Sequence, residues 1–143
     1  MVHATTLVGL TAALLCAAPA PIAAAADAAR FDGTWDVSLA CEPHTVGVKP
    51  YTYEFSARVT GGVLHGEHGA KGAPSWLAID GKIQPDGTAL LSANGLTNNP
   101  QYSLQHVPPS TPYAYRIAAR FGGTHGAGSR IENRDCRYTF VKR

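Results

Sequence analysis

Phe31-Asp32-Gly33-Thr34-Trp35-Asp36-Val37-Ser38-Leu39-Ala40-Cys41 is the stretch whose reading decides the fold. A glycine turn delivers Trp35. From there Trp35, Val37, Leu39 and Cys41 alternate with Thr34, Asp36, Ser38 and Ala40. Alternation with period two describes a strand with one apolar face, because successive side chains of an extended chain point to opposite sides. This strand begins at a large aromatic anchor and ends at a cysteine.

The same pattern repeats downstream. Tyr51, Tyr53, Phe55, Ala57 and Val59 share one face of the second strand, against Thr52, Glu54, Ser56, Arg58 and Thr60. Gly61-Gly62 then predicts a hairpin, since both glycines tolerate the positive φ such a turn demands. Further strands are expected over residues 63–68, 75–84, 88–94, 113–121, 127–132 and 136–142, with Pro85-Asp86-Gly87 as a strong turn signal. Tyr113, Tyr115, Ile117, Ala119 and Phe121 face inward and Arg116 and Arg120 outward, while Cys136, Tyr138 and Phe140 share a face of the last strand. Residues 95–112, with four prolines, are too long for a simple hairpin and read as a functional or mobile loop. No helical period appears after residue 30. The expected fold is all-β, a sandwich or barrel of eight short antiparallel strands.

The first 26 residues differ from the rest. An Ala- and Leu-rich run ending in Ala23-Ala24-Ala25-Ala26 reads as a secretory signal cleaved before Asp27, although residues 1–6 carry no Lys or Arg. An uncleaved anchor and a lipid acceptor at Cys16 are the competing readings. The organisation is then a signal at 1–26, a linker at 27–30 and a barrel domain at 31–143, with no membrane span in the mature chain and a periplasmic or secreted location.

Cleavage removes Cys16 and leaves Cys41 and Cys136, which in an exported protein read as a disulfide. Two free buried thiols are the alternative. Cys41 ends the first strand on its apolar face, and Cys136 starts the last strand on its apolar face. A bridge between them sets the two strands side by side and antiparallel, which closes an eight-strand meander into an up-and-down barrel with no open edge.

Charge is uneven. From residue 113 onward seven basic residues face two acidic ones, whereas the preceding part holds five basic and eight acidic. Solvated strand faces account for such a distribution, and an acidic partner is the other reading. Aromatics and arginines on the same strands fall on opposite faces, which argues against nucleic acid, because stacking and phosphate contact need one shared surface.

No catalytic motif stands out. Ser129 in Gly126-Ala127-Gly128-Ser129-Arg130 lacks the final glycine of a nucleophile elbow. His65 and Glu67 share a strand face that His68 opposes, so this cluster does not converge on one metal, and no metal or cofactor is expected. The protein is read as a non-enzyme.

The motifs Phe31-Asp32-Gly33-Thr34-Trp35, Tyr51-x-Tyr53-x-Phe55, Leu64-His65-Gly66-x-His68-Gly69, Pro74-x-Trp76-Leu77, Asp86-Gly87-Thr88-Ala89 and Arg134-x-Cys136 together resemble a family of short exported bacterial proteins, mainly proteobacterial and without assigned activity. Gly33-Thr34-Trp35 also resembles the opening of the calycins, the lipocalin and avidin-like barrels. That resemblance implies an Arg near the last strand packed on the Trp, here Arg130, Arg134 or Arg137. Small bacterial metalloprotease inhibitors use a similar barrel with one disulfide.

The leading functional expectation is a binding module for a small apolar or aromatic ligand held among Trp35, Tyr53, Phe55, Tyr115 and Tyr138, which instead simply fill the barrel if it is narrow. The alternative is a protein inhibitor or cell-envelope interaction protein acting through the 95–112 loop or the N-terminal linker. An interior void over about 300 Å³ favours the first, and a filled interior with an exposed apolar loop favours the second.

Overall fold

The computed structural model describes residues 27–45 and 47–143; the expected signal at 1–26, with Cys16, lies outside the described residues. Eight strands follow one another: β1 (Gly33–Cys41), β2 (Tyr51–Thr60), β3 (Val63–His68), β4 (Leu77–Lys82), β5 (Thr88–Leu96), β6 (Pro112–Phe121), β7 (His125–Arg130) and β8 (Cys136–Lys142). Each pairs antiparallel with the next, and β8 pairs with β1, so the sheet is a closed barrel. The seam register sets Trp35 opposite Lys142, Leu39 opposite Tyr138 and Cys41 opposite Cys136. Those cysteines form the disulfide. All-β class, strand number, antiparallel meander and disulfide closure are therefore as the alternation and the cysteine positions require.

The inner face is made by the predicted apolar positions. Trp35, Leu39, Leu64, Leu77, Ile79, Ile83, Leu91, Ile117 and Phe140 have no exposed surface. One end of the barrel is sealed. Phe121 lies edge-on to Trp35 at 5.4 Å and to Phe31 at 6.3 Å, and it tilts against Phe140 at 4.7 Å. The Trp35 indole N–H donates to the Phe31 carbonyl at 2.8 Å, so the buried indole leaves no polar atom unpaired. The expected linker belongs to this end: residues 27–29 are helical and Ala28 is buried. Asp32 pins the neighbouring hairpin by accepting from the Gly61 and Gly62 amides at 2.8 and 2.9 Å.

Several boundaries differ from expectation, each for a local reason. Ser75 takes φ 71° and its amide bonds to the Leu96 carbonyl, so β4 starts only at Leu77. β7 begins two residues early, at His125, and ends at Arg130, because Glu132 turns away to accept from the Arg116 amide at 2.8 Å and Asn133 takes φ 63°. β5 runs on to Leu96 and β6 starts at Pro112, which shortens the long loop to residues 97–111. That loop holds two 3-10 turns, Pro100–Tyr102 and Leu104–His106.

The Arg expected on Trp35 is not there. Arg130 lies over Tyr115 and Arg134 over Tyr51, while Lys142 stands 5.9 Å from the Trp35 ring and donates to the Arg30 carbonyl. The register explains this: Lys142 is the β8 partner of Trp35, whereas β7 and the β7–β8 turn deliver both arginines to the opposite end.

Candidate functional site

The opposite end of the barrel is the mouth. The strand alternation that fills the sealed end with Trp35, Phe121 and Phe140 brings Tyr51 and Tyr53 of β2 and Tyr113 and Tyr115 of β6 to this one. Tyr51 and Tyr53 tilt against each other at 4.9 Å, and Tyr113 stacks parallel to Tyr115 at 6.0 Å. The Tyr113 ring has room because β5 places a glycine opposite it. A Cβ on Gly95 would lie 2.4 Å from Tyr113 Cζ and Oη, closer than any side-chain contact allows. His68 stacks on the outer part of this wall, 3.9 Å from the Tyr53 ring, with its Nδ1 2.9 Å from the Ser75 carbonyl oxygen.

One layer deeper, the Tyr115 and Tyr138 hydroxyls share a hydrogen bond of 2.5 Å and are buried. Burial pushes the phenols of Tyr113, Tyr115 and Tyr138 far above their ordinary value, and it raises Tyr51 as well. All four stay neutral at any physiological pH. Removing a proton would bury a negative charge, which a low-dielectric surrounding opposes.

The 97–111 loop folds over the mouth. Leu104 and Val107 turn inward and are half-buried, while Asn98, Asn99, Gln105 and the 108–110 segment face solvent. Thr97 and Thr111 tie the base of the loop, each hydroxyl donating to the Pro108 carbonyl at 2.6 Å. Beneath it Arg134, only 6% exposed, stands 4.9 Å from the Tyr51 ring. Its guanidinium donates to the carbonyls of Glu42 at 3.0 and 2.9 Å, Lys49 at 2.7 Å and Tyr102 at 2.7 Å. One side chain thus joins the β1–β2 connection to the long loop. Burial, followed by the neighbouring charge of Arg130, lowers its pKa. Arg130 lies 4.1 Å from the Tyr115 ring, and its Nε donates to the Glu132 carbonyl at 2.6 Å.

Between these groups lies a pocket of about 120 Å³, lined by Tyr51, Tyr53, Tyr113, Arg130 and Arg134 from the barrel and by Leu96, Tyr102, Leu104 and Val107 from β5 and the loop. Of the five expected ligand residues only Tyr53 lines it. Tyr115 and Tyr138 sit in the layer below, Trp35 is in the sealed end and Phe55 packs against the core beside His68. Of the two expected arrangements, a cavity or a narrow barrel filled by its own side chains, the interior has the second, and the space lies at the mouth.

Arg130 and Arg134 were absent from the expected site. Parity contained a signal for Arg130: it shares a face with Gly126 and Gly128, the inward glycines of β7, and it stands at the mouth end of that strand. Arg134 lies in a turn, where no periodicity points.

The described histidines do not gather. His65 bridges Asp80 at 2.5 Å and Glu67 at 3.2 Å on the outer face, and His106 stands 3.3 Å from the Gly47 carbonyl oxygen. Among the described residues no group of three or more His, Cys, Asp or Glu side chains could hold a metal ion. No helix among them is long and apolar enough to cross a membrane.

Fold and site together define a small closed antiparallel barrel, sealed by aromatic side chains at one end and open at the other into a loop-covered pocket of tyrosines and arginines. No family model, curated protein or solved structure matches the chain.

Proposed function

We propose that the protein is a non-catalytic, exported binding module that holds a small ligand in the mouth pocket. The observation that carries this reading is the contrast between the two ends. The same alternation seals one end completely, yet at the other the loop spans a pocket of about 120 Å³. The pocket falls short of the interior void of about 300 Å³ that a larger ligand would need, but an engineered cavity of about 150 Å³ accommodates benzene, which limits the ligand to about single-ring size. Aromatic walls with a few convergent polar groups are the usual make-up of such sites.

The inward turn of Leu104 and Val107 favours this reading over a protein inhibitor working through the same loop, since an inhibitory loop presents apolar side chains to its partner. Export is supported by the apolar, Ala-rich run before Asp27 and by the Cys41–Cys136 bridge, because disulfides persist in oxidising compartments. Cleavage before Asp27 leaves Ala28 and Phe31 in place to seal the closed end.

Native mass spectrometry of the protein purified from its own cells tests this reading. A small mass that leaves on mild denaturation is the expected result, on a chain that begins at Asp27. A bound partner chain with an empty pocket would overturn it in favour of the interaction protein.

A further inference from the structure

The two guanidiniums at the mouth carry a charge that no carboxylate among the described residues pairs with. Arg116, Arg137 and Arg143 each stand within ion-pair distance of a carboxylate, namely Glu132, Glu42 and Asp36. Arg30, Arg58, Arg120, Arg130 and Arg134 have no such partner among the described residues, and of these Arg130 and Arg134 line the mouth pocket. Carbonyls engage Arg134 on three of its nitrogens, but a carbonyl supplies a dipole and leaves the net charge in place. The surrounding tyrosines are neutral, so they do not supply it either. Arg130 spends only Nε on the protein; its two terminal nitrogens make no hydrogen bond to any described residue. They are therefore the free half of a planar fork that matches a carboxylate in two parallel hydrogen bonds.

The rest of the wall is aromatic and apolar: Tyr51, Tyr53, Tyr113, Leu104 and Val107. A flat ring against such faces gains contact that a small hydrated anion does not. We infer that the mouth pocket takes a single-ring aromatic carboxylate, its carboxylate on the terminal nitrogens of Arg130 beside Arg134 and its ring among the tyrosines. This inference rests on the ligand-binding reading above and names the class of ligand.

Three probes separate the two: benzoate, its neutral relative benzamide, and inorganic phosphate. Each is titrated into isotope-labelled protein at low salt while the amide resonances of residues 96–113 and the arginine side-chain signals are followed. Benzoate is expected to bind about tenfold or more tightly than benzamide, the factor one charge-assisted hydrogen bond supplies. Phosphate is expected to bind more weakly than benzoate. Arg130→Met should remove that advantage, benzoate losing far more affinity than benzamide, with Arg130→Lys in between. Added salt should weaken benzoate binding to the unaltered protein, a readout that stands even if Arg130→Met fails to fold. Equal binding of benzoate and benzamide, with no effect of Arg130→Met or of salt, overturns the anion assignment while the ligand-binding reading survives. Phosphate binding as tightly as benzoate overturns the aromatic half. Resonances that move with none of the three overturn both readings together.

Discussion

Cys41 and Cys136 are register partners across the β1–β8 seam, both with side chains on the buried inner face of the barrel. The bridge therefore joins two residues that the ladder already brings together. It acts chiefly on the unfolded chain, from which it removes the freedom of a loop of 95 residues.

Cys41→Ala/Cys136→Ala should therefore keep the barrel and lose stability. The loss should be about 2–5 kcal/mol, toward the upper end because the closed loop is long. Urea denaturation of the double variant against the oxidised protein measures it. An unchanged midpoint would mean that the unfolded chain stays compact without the bridge.

Arg134 is a second tie, made through carbonyls of the β1–β2 connection and the long loop. Arg134→Met keeps much of the packing on Tyr51 and orphans the carbonyls of Glu42, Lys49 and Tyr102. The expected cost is about 1.5–3 kcal/mol, because part-buried acceptors lose a charged donor. Arg134→Lys should rescue little, since an ammonium cannot span three carbonyls as the guanidinium fork does. Hydrogen exchange should quicken in residues 97–111 and leave β4 and β5 protected. Uniform loosening of the whole barrel would contradict a local tie.

Much of the fold was legible before any coordinates. Ten residues of strict alternation in β2 assign an inner and an outer face without ambiguity, because a strand shifted by one residue would bury Glu54 and Arg58. The parity of the two cysteines did more, since it named the strands that had to meet. The limits lay where side chains say little. β7 reads His-Gly-Ala-Gly-Ser-Arg, and glycines carry no hydrophobic signal, so alternation fixes neither its bounds nor which of its faces is the inner one. Ser75 has a left-handed φ that nothing in serine announces. The pocket depends on the path of the 97–111 loop, and irregular backbone has no period from which to infer it.

Titration should move stability at two places. The Asp80 carboxylate, hydrogen-bonded to His65, raises that histidine's pKa above its ordinary 6.5, with Glu67 adding to the effect. A raised folded value means that the contribution is fully present below about pH 6.5 and is lost as pH rises through the raised value. The side chain is more than half exposed, so the effect is small. His65→Gln should flatten the stability profile above pH 6.5, as measured by denaturation midpoints. A slope that survives the substitution would assign it to another group.

Asp32 behaves in the opposite sense. The Gly62 and Gly61 amides hold its carboxyl below the usual 3.8. Its contribution is therefore present above pH 3.8 and is lost as pH falls through the lowered value. Asp32→Ala should lower stability near neutral pH by about 0.5–1.5 kcal/mol, chiefly through the part-buried Gly62 amide, since the exposed Gly61 amide can turn to water. It should also make the protein less sensitive to acid over that range. An acid-denaturation curve parallel to that of the parent would exclude Asp32 as the source of acid lability at this hairpin.

Gly95 offers a test of the pocket that leaves both arginines untouched. The Tyr113 ring occupies the space a Cβ would need, with Cζ and Oη each 2.4 Å from that position and the Trp76 carbonyl oxygen 2.8 Å away. The backbone carbonyl is held in the β4–β5 region by the Leu96 amide at 2.9 Å, so the ring is the partner free to move. Gly95→Ala should swing Tyr113 out of its stack on Tyr115 and into the pocket volume. The cost in stability should be about 1–3 kcal/mol, the usual penalty for overpacking. The more telling readout is binding: a single-ring probe that enters the mouth should lose affinity in Gly95→Ala, whereas Gly126→Ala, which crowds Phe121 at the sealed end, should lower stability and leave that affinity unchanged. If both variants weaken binding alike, the ligand does not discriminate between the two ends, and the mouth is not its site.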